Sequence, residues 1–272
     1  MGPSKRTLAI VALTTTLVSC SPQSLPATTP TTPANPPRIY TTTATQPLMV
    51  DLTLAYSERY SAPQFDIFSG NYQDMLNMLY QGDIAYFVTN HLPADSIWAA
   101  PIAQDGIVII THSSVQVKNI SVDDLRRIYQ GSIHNWMSLG GADIPITVFS
   151  REAGSSTRAE FDTMVMGYRQ TTANARVASS SMQMVNQVAN QPGSIGYVSM
   201  GFVEERVQVM AVENILPNLD TVYEGIYPLR STIFIVGLAE PEGIFRHFLG
   251  WVQSPDGQSI VGQRYVPIMM PN

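Results

Sequence analysis

The stretch ITVFSREAGSSTRAEF, Ile146–Phe161, decides the fold. It opens with apolar and β-branched residues that read as the end of a strand, predicted over Ile144–Phe149. Ser150-Arg151 and Gly154-Ser155-Ser156-Thr157 follow, and then an amphipathic pattern that predicts a helix over Ser155–Met166. A strand that turns directly into a helix is a building unit of α/β folds. The chemistry of the turn suits an anion. The first turn of a helix has unpaired N–H groups and the positive end of the helix dipole. Gly154 lets backbone approach closely, Ser155 and Thr157 add hydroxyls, and Arg151 offers a planar fork to two oxygens of one oxyanion. The same residues also suit a plain strand, turn and capped helix with a surface arginine.

Working outward, strand-like and helix-like segments alternate. Strands are predicted at Arg38–Thr42, Gln64–Ser69, Asp83–Val88, Gly106–Thr111, Ser194–Val198 and Ser231–Val236. Gly106–Thr111 (GIVIIT) is apolar throughout, as in a strand covered on both faces. Helices are predicted at Pro47–Tyr60, Tyr72–Tyr80, Met182–Asn190, Glu242–Val252 and Asp256–Val261. A further helix begins after Ser121, a good N-cap, with Asp123 and Asp124 in the first turn where the dipole favours carboxylates. The alternation predicts mostly parallel sheets with ligands at the carboxyl ends of the strands.

The 272-residue chain is 44 % hydrophobic, enough for a sizeable core, and carries a formal net charge of −6. It has no basic stripe, so nucleic-acid binding lacks electrostatic support. Its single cysteine, Cys20, allows no intrachain disulfide. Lys5 and Arg6 precede an uncharged run, Thr7–Ser19, too short to cross a bilayer core of roughly 30 Å. Residues 1–19 therefore read as a signal peptide. Leu17-Val18-Ser19-Cys20 resembles a bacterial lipobox, which would make Cys20 the lipidated residue. Residues 20–37, rich in Pro and Thr, read as a tether with little to bury.

The turn at Arg151 resembles the Arg-x-Asp-Gly-Ser-Gly-Thr motif of the phosphate-binding proteins of bacterial ABC uptake systems. Further blocks resemble that family in the same order: PIAQDGIVII at Pro101–Ile110, ISVDDLRRIYQGSIHNW at Ile120–Trp136, PGSIGYVSMG at Pro192–Gly201, GIYPLRSTIF at Gly225–Phe234 and SPDGQSIVGQRYVPI at Ser254–Ile268. The resemblance implies a two-lobed periplasmic-binding-protein fold of type II, α/β, each lobe a mixed, mostly parallel sheet flanked by helices, with a hinge between. Lobe 1 would hold residues 38–114 plus 206–272, and lobe 2 residues 115–205. By the same resemblance, Arg151, Ser155, Ser156 and Thr157 fall at ligand positions, Ser156 standing where the family has Gly. Thr43 and the Ala44 N–H fall at a first-lobe turn, and Ser69 at a second. The implied function is capture of phosphate, or a related small oxyanion, for the permease subunits of an ABC importer. The carrier would be an exported, membrane-attached monomer with no cofactor and no metal.

Two departures bear on selectivity. Ala153 replaces a family Asp, and no carboxylate lies between Ile84 and Ala94, where another acidic ligand is expected. A buried carboxylate accepts the proton that phosphate carries at neutral pH and repels fully ionised sulfate. Without one, phosphate is expected to be poorly distinguished from sulfate, unless Glu152 or Asp105 reaches the cleft. Two other functions compete. A surface lipoprotein with a degenerate site, a sensor or adhesin, fits the missing acids. An enzyme fits poorly: there is no Gly-x-Ser-x-Gly, and His91, His112, His134 and His247 are scattered, as expected of surface or packing residues. Trp98, Trp136 and Trp251 read as packing residues.

Overall fold

A computed structural model describes residues 1, 2, 36–94 and 96–269. The leader, Cys20 and most of the tether lie outside the described residues. The fold belongs to the unit Pro36–Asn272. In chain order its elements are β1 (Arg38–Thr42), α1 (Gln46–Tyr60), β2 (Asp66–Gly70), α2 (Tyr72–Gln81), β3 (Tyr86–Thr89), β4 (Trp98–Thr111), β5 (Asn119–Ile120), α3 (Val122–Tyr129), β6 (Thr147–Arg151), α4 (Ser156–Phe161), β7 (Arg176–Ala178), α5 (Ser181–Asn190), β8 (Ser194–Ser199), β9 (Gln208–Val212), α6 (Leu219–Tyr223), β10 (Arg230–Gly237), α7 (Gly243–Val252) and α8 (Pro255–Val261).

The strands run in the order β2-β1-β3-β10-β4-β8-β6-β7, with β9 also on β4 and β5 on β9. Each end of this path is parallel: β1 lies between β2 and β3, and β6 between β7 and β8. The middle is antiparallel, where β10 pairs with β3 and β4, and β4 with β8 and β9. The long β4 is the join. Its first part pairs with β10 up to Gly106↔Arg230, and from Ile107 onward its partners are β8 and β9.

The apolar run in β4 shows why it is buried on both faces. Ile107 and Ile109 pack into a core with Leu125, Ile128, Trp136, Phe161 and Tyr197. Val108 and Ile110, pointing the other way, pack with Phe149, Met184, Val185 and Val188. Separate clusters sit under the other lobe, around Leu48, Leu52, Tyr56, Ile102 and Phe248, and around Met75, Leu79 and Phe87. Truncating a residue as enclosed as Ile109 to Ala costs about 2–5 kcal/mol, because the cavity collapses only in part.

The changeover of strand partners bears on the expected segment boundaries. Residues 107–114 and 206–229 were expected in lobe 1. Ile107–Thr111 instead pair with β8 and β9, and Val115, Met210, Val212, Val222, Tyr227 and Leu229 join the Trp136 core. The chain crosses at 106/107 and returns at 229/230. The reason is β9, a strand that the sequence pattern did not show, which pairs Val209 with Ile110 and draws its flanks with it. One helix is also shorter than expected. Ser155 is the N-cap of α4, which stops at Phe161 and gives way to a π-helical turn over Asp162–Met166.

Candidate anion site

The cleft between the lobes is lined by strand ends. Thr43 and Ala44 follow β1, Ser69 is the last residue but one of β2, Asn90 follows β3, and Arg151 ends β6. The structure brings the Thr43 and Arg151 turns together across 108 positions of chain: Arg151 Nη2 donates to Thr43 Oγ1 at 2.9 Å.

Arg151 is only 1 % exposed. Its guanidinium donates from Nε to Glu152 Oε2 (2.8 Å), from Nη2 to Glu152 Oε1 (2.9 Å), and from Nη1 to Ser181 Oγ (3.0 Å). A guanidinium has five N–H groups in a fixed fork, so the carboxylate of Glu152 occupies the edge expected for an oxyanion. One N–H of Nη1 has no partner in these contacts. A buried charge needs a partner, and the neighbouring carboxylate supplies it. The Arg151–Glu152 pair is therefore formally neutral. The backbone is held as firmly. Arg151 N donates to Tyr197 Oη at 3.2 Å, and Arg158 Nη1 donates to Arg151 O at 3.1 Å. Tyr197 stacks on Phe161 with ring centroids 4.1 Å apart, and burial pushes its hydroxyl up to about 12.

The hydroxyls around Arg151 differ in what they have left to give. Ser155 Oγ accepts the Arg158 N–H at 3.3 Å as the helix cap, which leaves its own proton to donate. Thr43 accepts from Arg151 and is likewise left with a proton. Ser156 and Thr157 are buried in the first turn of α4. The Thr157 hydroxyl has no partner among the described residues, and neither does either amide atom of buried Asn90. Buried polar atoms without partners are uncommon, and among those of the described residues Thr157 lies on one lobe and Asn90 on the other. Ser69 is turned the other way, donating to Gln46 Oε1 at 3.2 Å. Ala44 is buried, and its carbonyl accepts from the Tyr265 hydroxyl at 3.5 Å.

Further contacts join the rims. Asn71 caps α2 with its side-chain oxygen, and its amide nitrogen donates across the cleft to Ala153 O (2.9 Å) and Glu152 Oε1 (3.4 Å). Gln73 N donates to Gly154 O at 3.2 Å. Gly154 sits at φ +77°, and a Cβ there would meet Asn71 Oδ1 at 2.5 Å, so the position needs glycine for conformation and for space. His91 packs edge-on against the Tyr72 ring, as expected of a packing histidine, and its Nδ1 also lies 2.6 Å from Glu160 Oε1 on α4. Sequence reasoning did not find Ser181, Asn71 or Glu160 as cleft residues. Ser181 follows another Ser-rich helix start, the same signal that marked α4.

The fold and the cleft define a class: an α/β protein of two lobes with a polar cleft between them. The PBP superfamily domain matches residues 26–256, and the chain belongs to that family. The phosphate-binding protein PstS of Bacillus subtilis (strain 168) is 29 % identical over 170 residues, which cover 61 % of this chain and 56 % of that protein. PstS of Borreliella burgdorferi is 24 % identical over 177 residues, 60 % of this chain and 62 % of the relative. The chain thus spans roughly three fifths of the length of these curated relatives. Among solved structures, a putative phosphate ABC transporter substrate-binding protein from Clostridium perfringens, with bound phosphate, superposes with a TM-score of 0.81 at 25 % identity. It covers 85 % of this chain and 100 % of the other. An ABC-type phosphate transport receptor from Vibrio cholerae gives 0.71 at 22 % identity, covering 86 % of this chain and 100 % of the other, a likeness of fold.

Proposed function

We propose that the chain is an extracytoplasmic solute-binding protein that captures phosphate, or a closely related oxyanion, between its lobes for an ABC importer. The observation that carries this is the buried Arg151 guanidinium at the end of β6, with the Thr157 hydroxyl in the first turn of α4 and the Asn90 amide after β3 both buried and without partners among the described residues. Each of these groups has a hydrogen bond to make and no water-exposed surface on which to make it. A tetrahedral oxyanion satisfies several at once. In this reading Thr43, Ala44, Arg151, Ser155, Ser156 and Thr157 surround the ligand, Asn90 joins them, and Ser69 reaches it by exchanging its hydrogen bond to Gln46 for one to the ligand. Closing the lobes removes the anion from water and strengthens every such bond. Lobe 1 is Arg38–Gly106 with Arg230–Met269, and lobe 2 is the segment between. Cys20 is the lipid anchor, the protein works as a monomer outside the cytoplasm, and it carries rather than transforms its ligand. No helix among the described residues is long and apolar enough to cross a membrane.

Glu152 changes the selectivity expected from the sequence. Its carboxylate lies against the arginine that would hold the ligand, and this gives the site the repulsive element against sulfate that Ala153 and Asn90 lack. Titration calorimetry of the full chain at neutral pH tests the whole reading. Saturable one-to-one binding of phosphate, only partly displaced by excess sulfate, is expected. An absence of heat with every small oxyanion would break it.

A further inference from the structure

A groove of about 410 Å³ opens beside Thr43 and Ser69. Its polar lining includes Thr43, Gln46, Ser69 and Ser180 together with the Asp51–Arg264 pair, and Val50, Met182 and Phe202 are among its apolar lining. Met182 is 54 % exposed and Val50 43 %, so large apolar side chains stand in water on both sides of the groove. The groove and the anion site share a wall. Thr43 accepts a hydrogen bond from Arg151 Nη2, and Ser180 precedes Ser181, which accepts one from Arg151 Nη1. The charges at the groove's far end cancel: Arg264 Nε lies 2.8 Å from Asp51 Oδ2.

We propose that this groove is a second subsite, which takes the uncharged organic substituent of a phosphate monoester or a phosphonate whose phosphoryl oxygens sit at Arg151. The proposal rests on the oxyanion reading of the cleft and narrows it. A bare tetrahedral anion gains nothing from Val50, Met182 or Phe202, because each of its oxygens needs a donor. A substituted phosphoryl group keeps three oxygens for Arg151 and the hydroxyls, and its remaining arm gains by covering apolar surface. Thr43 belongs to both sites, lining the groove and accepting a hydrogen bond from Arg151. The Asp51–Arg264 pair leaves no net charge to draw a second anionic group, so a neutral aryl or short alkyl substituent fits best.

The test is titration calorimetry of the full chain with inorganic phosphate and with phenylphosphonate, repeated on Val50→Ser, Met182→Ser and the double variant. Both positions are exposed and neither touches Arg151, so the fold and phosphate binding should persist. Phenylphosphonate should bind within about tenfold of phosphate, and the double variant should weaken it about tenfold while phosphate changes by less than about threefold. Two outcomes overturn the subsite and leave the oxyanion site standing: phosphate binding with phenylphosphonate weaker by more than about tenfold, or variants that change both ligands alike. If neither ligand binds, the oxyanion reading fails and the subsite fails with it.

Discussion

The two rims of the cleft are built on opposite plans. On the second lobe, Arg151 is bound at its side chain to Glu152 and Ser181, at its N–H to Tyr197 and at its carbonyl to Arg158. On the first lobe, Asn90 has no partner for either amide atom among the described residues, Thr43 offers one hydroxyl, and Ser69 is turned to Gln46. One rim holds a paired arginine braced in advance, and the other offers uncharged groups with bonds still to make. Preorganised charge supplies strength, and adjustable neutral groups supply fit.

The contrast is broken most directly at Arg151. Arg151→Ala should remove roughly 5 kcal/mol of phosphate binding, enough to abolish it in calorimetry. It should also lower stability, since Glu152 is left half-buried without its partner. Unchanged affinity would mean that the braced rim is structural only.

Asp105, on the crossing strand, probes the seam between the rims. It is fully buried, its Oδ1 accepts the Met200 N–H at 3.0 Å, and burial raises its carboxyl to about 7. The folded state thus keeps a proton that the unfolded chain releases near pH 4. Stability from this group is full below the unfolded value, falls as pH rises, and levels off above about 7, a loss on the order of 4 kcal/mol. Asp105→Asn should flatten that part of a denaturant-stability profile measured from pH 4 to 8. A variant with the same slope as the parent would show that the carboxyl is not the source.

Gly154 is where the rims touch. Gly154→Ala should weaken phosphate binding by about 1–3 kcal/mol, because φ is positive and the new methyl meets Asn71. Equal affinity would show that the Asn71 clasp plays no part in closure. A sharper contrast comes from Glu152→Gln. Removing the charge should favour sulfate over phosphate by about tenfold relative to the parent, read by competition calorimetry. An unchanged ratio would return selectivity to the neutral rim. The smallest effect belongs to the His91–Glu160 contact. A double-mutant cycle with His91→Gln and Glu160→Gln should give a coupling of about 0.5–1 kcal/mol in phosphate affinity. Strict additivity would leave this contact without a role in closure.

Much of this was legible in residue order. Ile107–Ile110 announced a doubly covered strand because four consecutive apolar side chains have no solvent face. The strand, turn and helix around Gly154 were legible because glycine, hydroxyl caps and apolar runs act over a few neighbouring residues. Short β9 was not legible, since its pairing with β4 comes from residues about a hundred positions away. The same holds for Glu152. Sequence places it beside Arg151, but backbone adjacency does not say where a side chain turns, and the pair forms because a guanidinium this buried requires a counter-charge. Sequence by itself determined the class of fold and the anion-like turn, since both rest on local propensity and periodicity. Only the tertiary structure decided that Thr43 meets Arg151, that Asn71 reaches Ala153 and that His91 meets Glu160, because such contacts depend on how two lobes close on each other.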